Sequence, residues 1–155
     1  MSEYKLAEEI IKLSKADRWD AAKIEWALSE VYEADDPETC LCGHFPIIEL
    51  CVLKNTINNN LAFVGNCCVK KFIGLPSDKI FQAVKRVKQD NKKSLNDEAI
   101  RHAYNRGWIN CWDKNFYMNI MRKRNLTPNQ RDKKIQINEK ILRNMRRKPT
   151  YNGNG

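Results

Sequence analysis

Five of the six cysteines fall between positions 40 and 68. They run as Cys40-Leu41-Cys42-Gly43-His44, then Cys51, then Gly65-Asn66-Cys67-Cys68-Val69. Clustered thiols and an imidazole on tight turns have the ligand chemistry of a tetrahedral zinc site. Two cysteines one residue apart, followed by glycine, make a narrow turn. Gly43 lets the backbone fold behind the sulfurs without a Cβ clash. Cys51 falls on a predicted strand and can point back at that turn. A cysteine in the first turn of a helix after Gly65-Asn66 completes the tetrahedron, with the helix dipole favouring its thiolate. Cys67 and Cys68 must point in different directions, so one of them binds; His44 is an alternative to Cys51 but reads first as a surface residue or one that supports the ligands from outside.

A disulfide framework is the other reading of six cysteines. The metal-like spacing argues against it, as does an opening, M-S-E-Y-K, that carries no basic-then-apolar signal. The expected setting is therefore the cytoplasm, where thiols stay reduced. No run of 18 apolar residues predicts a membrane span. Four thiolates leave no open position for water or substrate, so one structural Zn²⁺ is expected and no catalytic residue is assigned. Cys111, between Trp108 and Trp112, reads as a core thiol. His102, near Arg101 and Arg106, reads as a surface histidine.

The elements around these residues follow from periodicity and turn signals. A first helix is predicted over Tyr4–Lys15 and a second over Asp20–Tyr32, where Ile24, Leu28 and Val31 recur at spacings of four and three. Asp35-Asp36-Pro37 breaks that pattern. Pro46–Lys54 and Leu61–Val64 read as a hairpin around an Asn-rich turn, and Cys67–Phe72 as a short helix ended by Gly74. Further helices are predicted over Pro76–Gln89, Asn96–Arg106 with Gly107 as its cap, and Asp113–Arg124. The last begins at the capping box Thr127-Pro128-Asn129-Gln130 and runs to about Arg146. Its buried stripe is read as Ile135, Leu142 and Met145, with Asn138 between them. The fold class is thus mostly α, with a small β-hairpin and a treble-clef-like zinc finger embedded in a helical domain. The divisions are an acidic helical pair (1–36), the zinc-binding hairpin and short helix (37–75), a basic helical region (76–148) and a flexible tail (149–155).

Charge is distributed unevenly. Residues 1–39 carry 5 Lys/Arg and 11 Asp/Glu, residues 40–75 carry 3 and 1, and residues 76–155 carry 20 and 7. The last part, at +13, attracts polyanions, of which nucleic acid is the commonest in a cell. Candidate phosphate contacts are Lys70, Lys71, Arg122, Lys123, Arg124, Arg131, Lys134, Arg143, Arg146 and Arg147. A solvated, snorkelling helix face is the plainer reading of the same charges. Trp108, Trp112, Phe116 and Tyr117 recur at helical spacing, which reads first as core packing and second as a platform for bases.

The stretches C-L-C-G-H, I-I-E-L-C-V-L-K-N and F-V-G-N-C-C-V-K-K-F together resemble a pattern in small uncharacterised zinc-finger proteins of bacteriophages and large DNA viruses. The resemblance covers about half the chain. It implies Cys40, Cys42, Cys51 and Cys68 as the ligands, and a viral protein acting in the host cell interior. Three functions compete on these observations. The first is a zinc protein that binds nucleic acid, DNA before RNA. The second is a viral interaction module that inhibits or redirects a host protein or enzyme. The third is a nuclease, for which the sequence offers no paired-carboxylate or histidine-metal set.

Overall fold

The computed structural model describes residues 3–147, which divide into two compact units. The first holds residues 3–78 with 146–147, and the second holds Lys79–Met145. The expected boundary near residue 36 is therefore absent, because the acidic front and the cysteine region share one sheet. The predicted tail at 149–155 lies outside the described residues. Among those residues, no helix is long and apolar enough to cross a membrane.

The first unit opens with α1 (Glu3–Leu13), which buries Leu6 and Ile10, and α2 (Trp19–Ala22), followed by a tight turn at Lys23–Glu25. The chain then enters β1 (Trp26–Glu38), where a second helix was expected. β1 pairs antiparallel with β2 (Ile47–Asn55), and β2 pairs antiparallel with β3 (Leu61–Gly65). A two-residue β4 (Arg146–Arg147) lies parallel to β1 at Glu33 and Ala34, giving the order β3-β2-β1-β4. The spacing of Ile24, Leu28 and Val31 suits a helix locally, but backbone pairing with β2 outweighs it. Val31 and Tyr32 are good strand residues, and both are fully buried. Asp35 to Pro37 sit beyond the β4 pairs, where the ladder shifts register and a missing N–H costs nothing. The core on one face comprises Tyr32, Ala34, Leu50 and Val52.

The hairpin turn is built by its asparagines. The Asn55 carboxamide oxygen accepts from the N–H groups of Ile57 and Asn58, and its Nδ2 donates to Glu25. The buried Glu25 carboxylate also accepts from the N–H groups of Lys15 and Ala16, which ties the end of α1 to the hairpin.

The second unit is helical. α4 (Ser77–Gln89) begins in the first unit and continues here, followed by α5 (Asp97–Asn105), α6 (Cys111–Ile120) and α7 (Pro128–Met145). Gly107 ends α5 at φ +78°, a left-handed conformation that suits a residue without Cβ. The Thr127–Gln130 capping box forms as expected, each side chain bonding the other's backbone N–H. A second box starts α6 two residues earlier than expected, at Asn110 with Asp113. The signal N-C-W-D was available in the sequence.

Three further expectations change here. α7 buries Lys134, Ile137, Asn138, Ile141 and Met145, so Asn138 and Met145 lie on the inner face as expected while Ile137 and Ile141 take the places read for Ile135 and Leu142. Cys111 is exposed at the start of α6 rather than buried. His102 is buried at 9% exposure and meets Trp108 edge to face at 5.4 Å.

Burial, with Arg106 adding to it, holds the His102 ring down at about 4 from its ordinary 6.5. The folded chain therefore keeps it neutral while the unfolded chain protonates near pH 6.5. Stability is full above that pH and falls as pH drops from about 6.5 to about 4, by a total on the order of 3 kcal/mol. An NMR titration of the ring checks this: an apparent value near 4 is expected, and one near 6.5 contradicts the burial.

Candidate metal centre

Three of the predicted ligands come together. The sulfurs of Cys40, Cys42 and Cys68 all lie within 4.8 Å of one another, and all three residues are buried. Cys42 and Cys68 are 3.6 Å apart. Thiolates on a tetrahedral zinc, each about 2.3 Å from the ion, stand roughly 3.8 Å apart. The Cys42–Cys68 separation matches that spacing, and the whole triad lies within about 1 Å of it.

Each position has a local cause. Cys40 and Cys42 lie on the turn before β2, closed by Gly43 N–H to Cys40 O at 2.7 Å and by Cys40 N–H to His44 O at 2.9 Å. Gly43 has φ +93°, so the turn needs a glycine there. Cys68 ends α3 (Asn66–Cys68), which runs into a π-helical turn (Val69–Ile73) capped by Gly74. Gly65, at the end of β3, donates its N–H to Cys40 Sγ at 3.2 Å. A Cβ on Gly65 would sit 3.3 Å from Ile47 Cδ1 and 3.6 Å from the Cys40 sulfur, so the close approach leaves little room for a side chain.

α3 is held by a polar cluster that the sequence reading did not identify. The buried Asn66 amide donates to Glu49 Oε1 at 3.1 Å and Asp78 Oδ1 at 3.0 Å, and accepts from the Ser77 hydroxyl at 2.6 Å. The Asn that follows a glycine before paired cysteines was the available signal.

The thiols share protons unequally. A hydrogen bond from Cys68 holds the Cys40 thiol down at about 5, against the opposing effect of burial. The same contact, with burial, pushes Cys68 up. Cys40 is thus the ready thiolate, and a metal would displace the proton that Cys68 retains.

Cys51, implied as the fourth ligand, is not part of this group. It sits at the centre of β2 between Val31 and Val64, with no exposed surface. Burial pushes its thiol up to about 12, and it hydrogen-bonds Ser77. Its contact with Ser77, which also bonds Asn66, keeps it beside α3 but outside the group of three sulfurs. Cys67 and Cys68 diverge as expected, Cys67 exposed and Cys68 buried. His44 is exposed.

The candidate phosphate contacts divide between the units. In the first, Lys70 and Lys71 are exposed, Lys70 pairing with Asp78 at 3.3 Å, and Arg146 pairs with Asp35 at 3.3 Å. Arg147 lies on β4. In the second, Arg122, Lys123, Arg124, Arg131 and Arg143 are exposed. Lys134 is not an open contact: it is 7% exposed, and burial lowers its pKa. Trp112 differs from the core reading in the other direction. It is 61% exposed and stacks on Phe116 at 5.2 Å with an interplanar angle of 6°. The Lys133 ammonium stands 5.4 Å over the Trp112 ring and 3.3 Å from Asp113. Tyr117, by contrast, is fully buried.

No protein-family profile, no curated protein and no solved structure matches this chain.

Proposed function

We propose that this is a zinc-binding protein that binds nucleic acid, with the metal holding the first unit and the second unit contacting phosphates. The observation that carries the reading is in the second unit. Residues 79–145 hold 17 Lys/Arg and 6 Asp/Glu, a net of +11. The same unit presents an open Trp112–Phe116 stack with a lysine over it. Backbone neutralisation together with an aromatic platform is the combination that single strands use. The turn, hairpin and helix that present Cys40, Cys42 and Cys68 support a treble-clef-like description of the first unit. The zinc is structural in this reading, and no reaction is assigned. The likeness to viral finger proteins makes the host cell interior the setting.

Binding of metal-loaded protein to single-stranded DNA, duplex DNA and RNA across a salt series tests it. Log affinity is expected to fall linearly with log salt, by about 0.7 to 0.9 per phosphate neutralised. Trp112→Ala is expected to weaken single-strand binding by about 1–3 kcal/mol. Undetectable binding at low salt to all three sinks the reading. The second reading, a module docking on a host protein, has its own observation in Ile48, 43% exposed and lining the cysteine cavity, and Phe45, 59% exposed on the loop before β2. A stoichiometric protein partner that survives nuclease treatment would favour it.

A further inference from the structure

The Cys40–Cys42–Cys68 triad supplies three corners of a tetrahedron and leaves the fourth open. The triad borders a cavity of about 360 Å³ in the first unit, lined by Cys40 and Cys68 and also by His44, Glu49, Cys67 and Glu33, the last already engaged in another interaction. The missing ligand must come from a group that reaches this space.

The candidates separate on geometry. Cys51 lies outside the triad, inside the sheet. Glu49 is held by the Asn66 amide at 3.1 Å. Cys67 precedes Cys68 within α3, and consecutive helical side chains diverge by about 100°. Both can aim at one ion only if α3 unwinds, against the Asn66 contacts that hold it. His44 has no such obstacle. Its backbone is pinned to the triad by the bond from Cys40 N–H to His44 O, 2.9 Å long. Its side chain lines the cavity and is exposed. Among the described residues its ring has no hydrogen-bond or ion-pair partner. In this structure its ring stands outside the 4.8 Å group of sulfurs, and as an exposed side chain on the same closed turn it is free to turn toward the cavity.

We propose that His44 is the fourth ligand, so that the chain binds one zinc through a Cys₃His set formed by Cys40, Cys42, His44 and Cys68. This inference rests on the metal reading above and specifies its coordination. Cys₃His is an established structural zinc set, and it fills the vertex that a catalytic site would leave to water. The order of ligands is also economical in chain length, with three of the four on one five-residue turn and the fourth brought by the hairpin.

Cobalt(II) replaces zinc as a visible probe. Wild-type chain is expected to take up one Co²⁺ with tetrahedral d–d bands and sulfur-to-cobalt charge transfer from three thiolates. His44→Ala is expected to keep the charge-transfer intensity, change the d–d bands, and bind Zn²⁺ more weakly by more than about tenfold, the scale that even an outer-shell partner carries. His44→Cys is expected to restore tight binding and add the charge transfer of a fourth thiolate. Cys51→Ser and Cys67→Ser are expected to match wild type in spectrum and affinity. Because His44 is exposed, its substitution leaves the core intact. If His44→Ala matches wild type while Cys51→Ser or Cys67→Ser alters the spectrum, the assignment is overturned and the metal site stands. If the wild-type chain takes up no Co²⁺, the metal reading and the assignment fall together.

Discussion

Cys68→Ser is expected to abolish stoichiometric zinc binding and to destabilise the first unit. A serine hydroxyl is a harder, far weaker donor than a thiolate, and Cys68 is the only triad member contributed from beyond the hairpin. Its loss leaves the ion with ligands from a single turn. The affinity drop should exceed the 10- to 100-fold that loss of an outer-shell partner costs, so about 100-fold is the least expected. Stability follows by linkage, since an ion present at 1,000 times its dissociation constant contributes about 4 kcal/mol to the folded state. Competition with a chromophoric chelator reads the affinity, and a thermal melt with and without chelator reads the stability. Cys111→Ser is the control, because Cys111 is exposed in the other unit, where its sulfur accepts a hydrogen bond from Asn115. One zinc retained per chain at unchanged affinity in Cys68→Ser contradicts the triad. The metal should also be lost as pH falls, because protons compete for the same sulfurs.

The second large effect lies in the helical unit. Asn138 has no exposed surface and makes three hydrogen bonds. Its Nδ2 donates to the carbonyls of Asn91 and Lys93, both at 2.9 Å, and its Oδ1 accepts from the Tyr117 hydroxyl at 2.6 Å. That hydroxyl in turn accepts from Leu95 N–H at 2.9 Å. Burial pushes Tyr117 up to about 12, so it stays protonated and remains the donor to Asn138. One side chain on α7 thus fastens α6 and the segment before α5. Asn138→Leu removes all three bonds and strands two part-buried carbonyls and a buried phenol. Each stranded group costs about 1–3 kcal/mol, and relaxation or water entry recovers part of it, so a loss of about 3–5 kcal/mol is expected. Urea unfolding followed by the fluorescence of Trp108 and Trp112 measures it. Tyr117→Phe should be milder, and the pair in a double-mutant cycle should be strongly non-additive. A loss below about 1 kcal/mol for Asn138→Leu would show that the network is not a strong tie.

Legibility in the sequence tracks the range of the interaction that decides each feature. The knuckle turn, the Asn-rich hairpin, the Gly74 and Gly107 caps and the Thr127–Gln130 box all rest on bonds spanning a few residues. Their signals are therefore written in adjacent positions. Cys40, Cys42 and Cys68 were readable because turn, hairpin and helix start leave thiols few places to go. The α6 start at Asn110 was equally local and was passed over in favour of Asp113.

The remainder was decided by tertiary structure. Trp26–Glu38 has apolar spacings that suit a helix, and only the long ladder with β2 makes it a strand. That ladder in turn places Cys51 between Val31 and Val64, away from the triad. α7 carries Ile135, Ile137, Ile141 and Leu142 around much of its circumference, so periodicity alone cannot choose its inner face. The docking of Asn138 on the Asn91 and Lys93 carbonyls chooses it, and Lys134 is buried as a consequence. By itself the sequence determined the local turns, most of the helices, the three clustered thiols and the charge asymmetry. The tertiary structure decided strand against helix, the burial of Lys134 and His102, the exposure of Trp112 and the separation of Cys51 from the Cys40–Cys42–Cys68 group. In each of these the deciding partner lies far along the chain, and no local pattern names it.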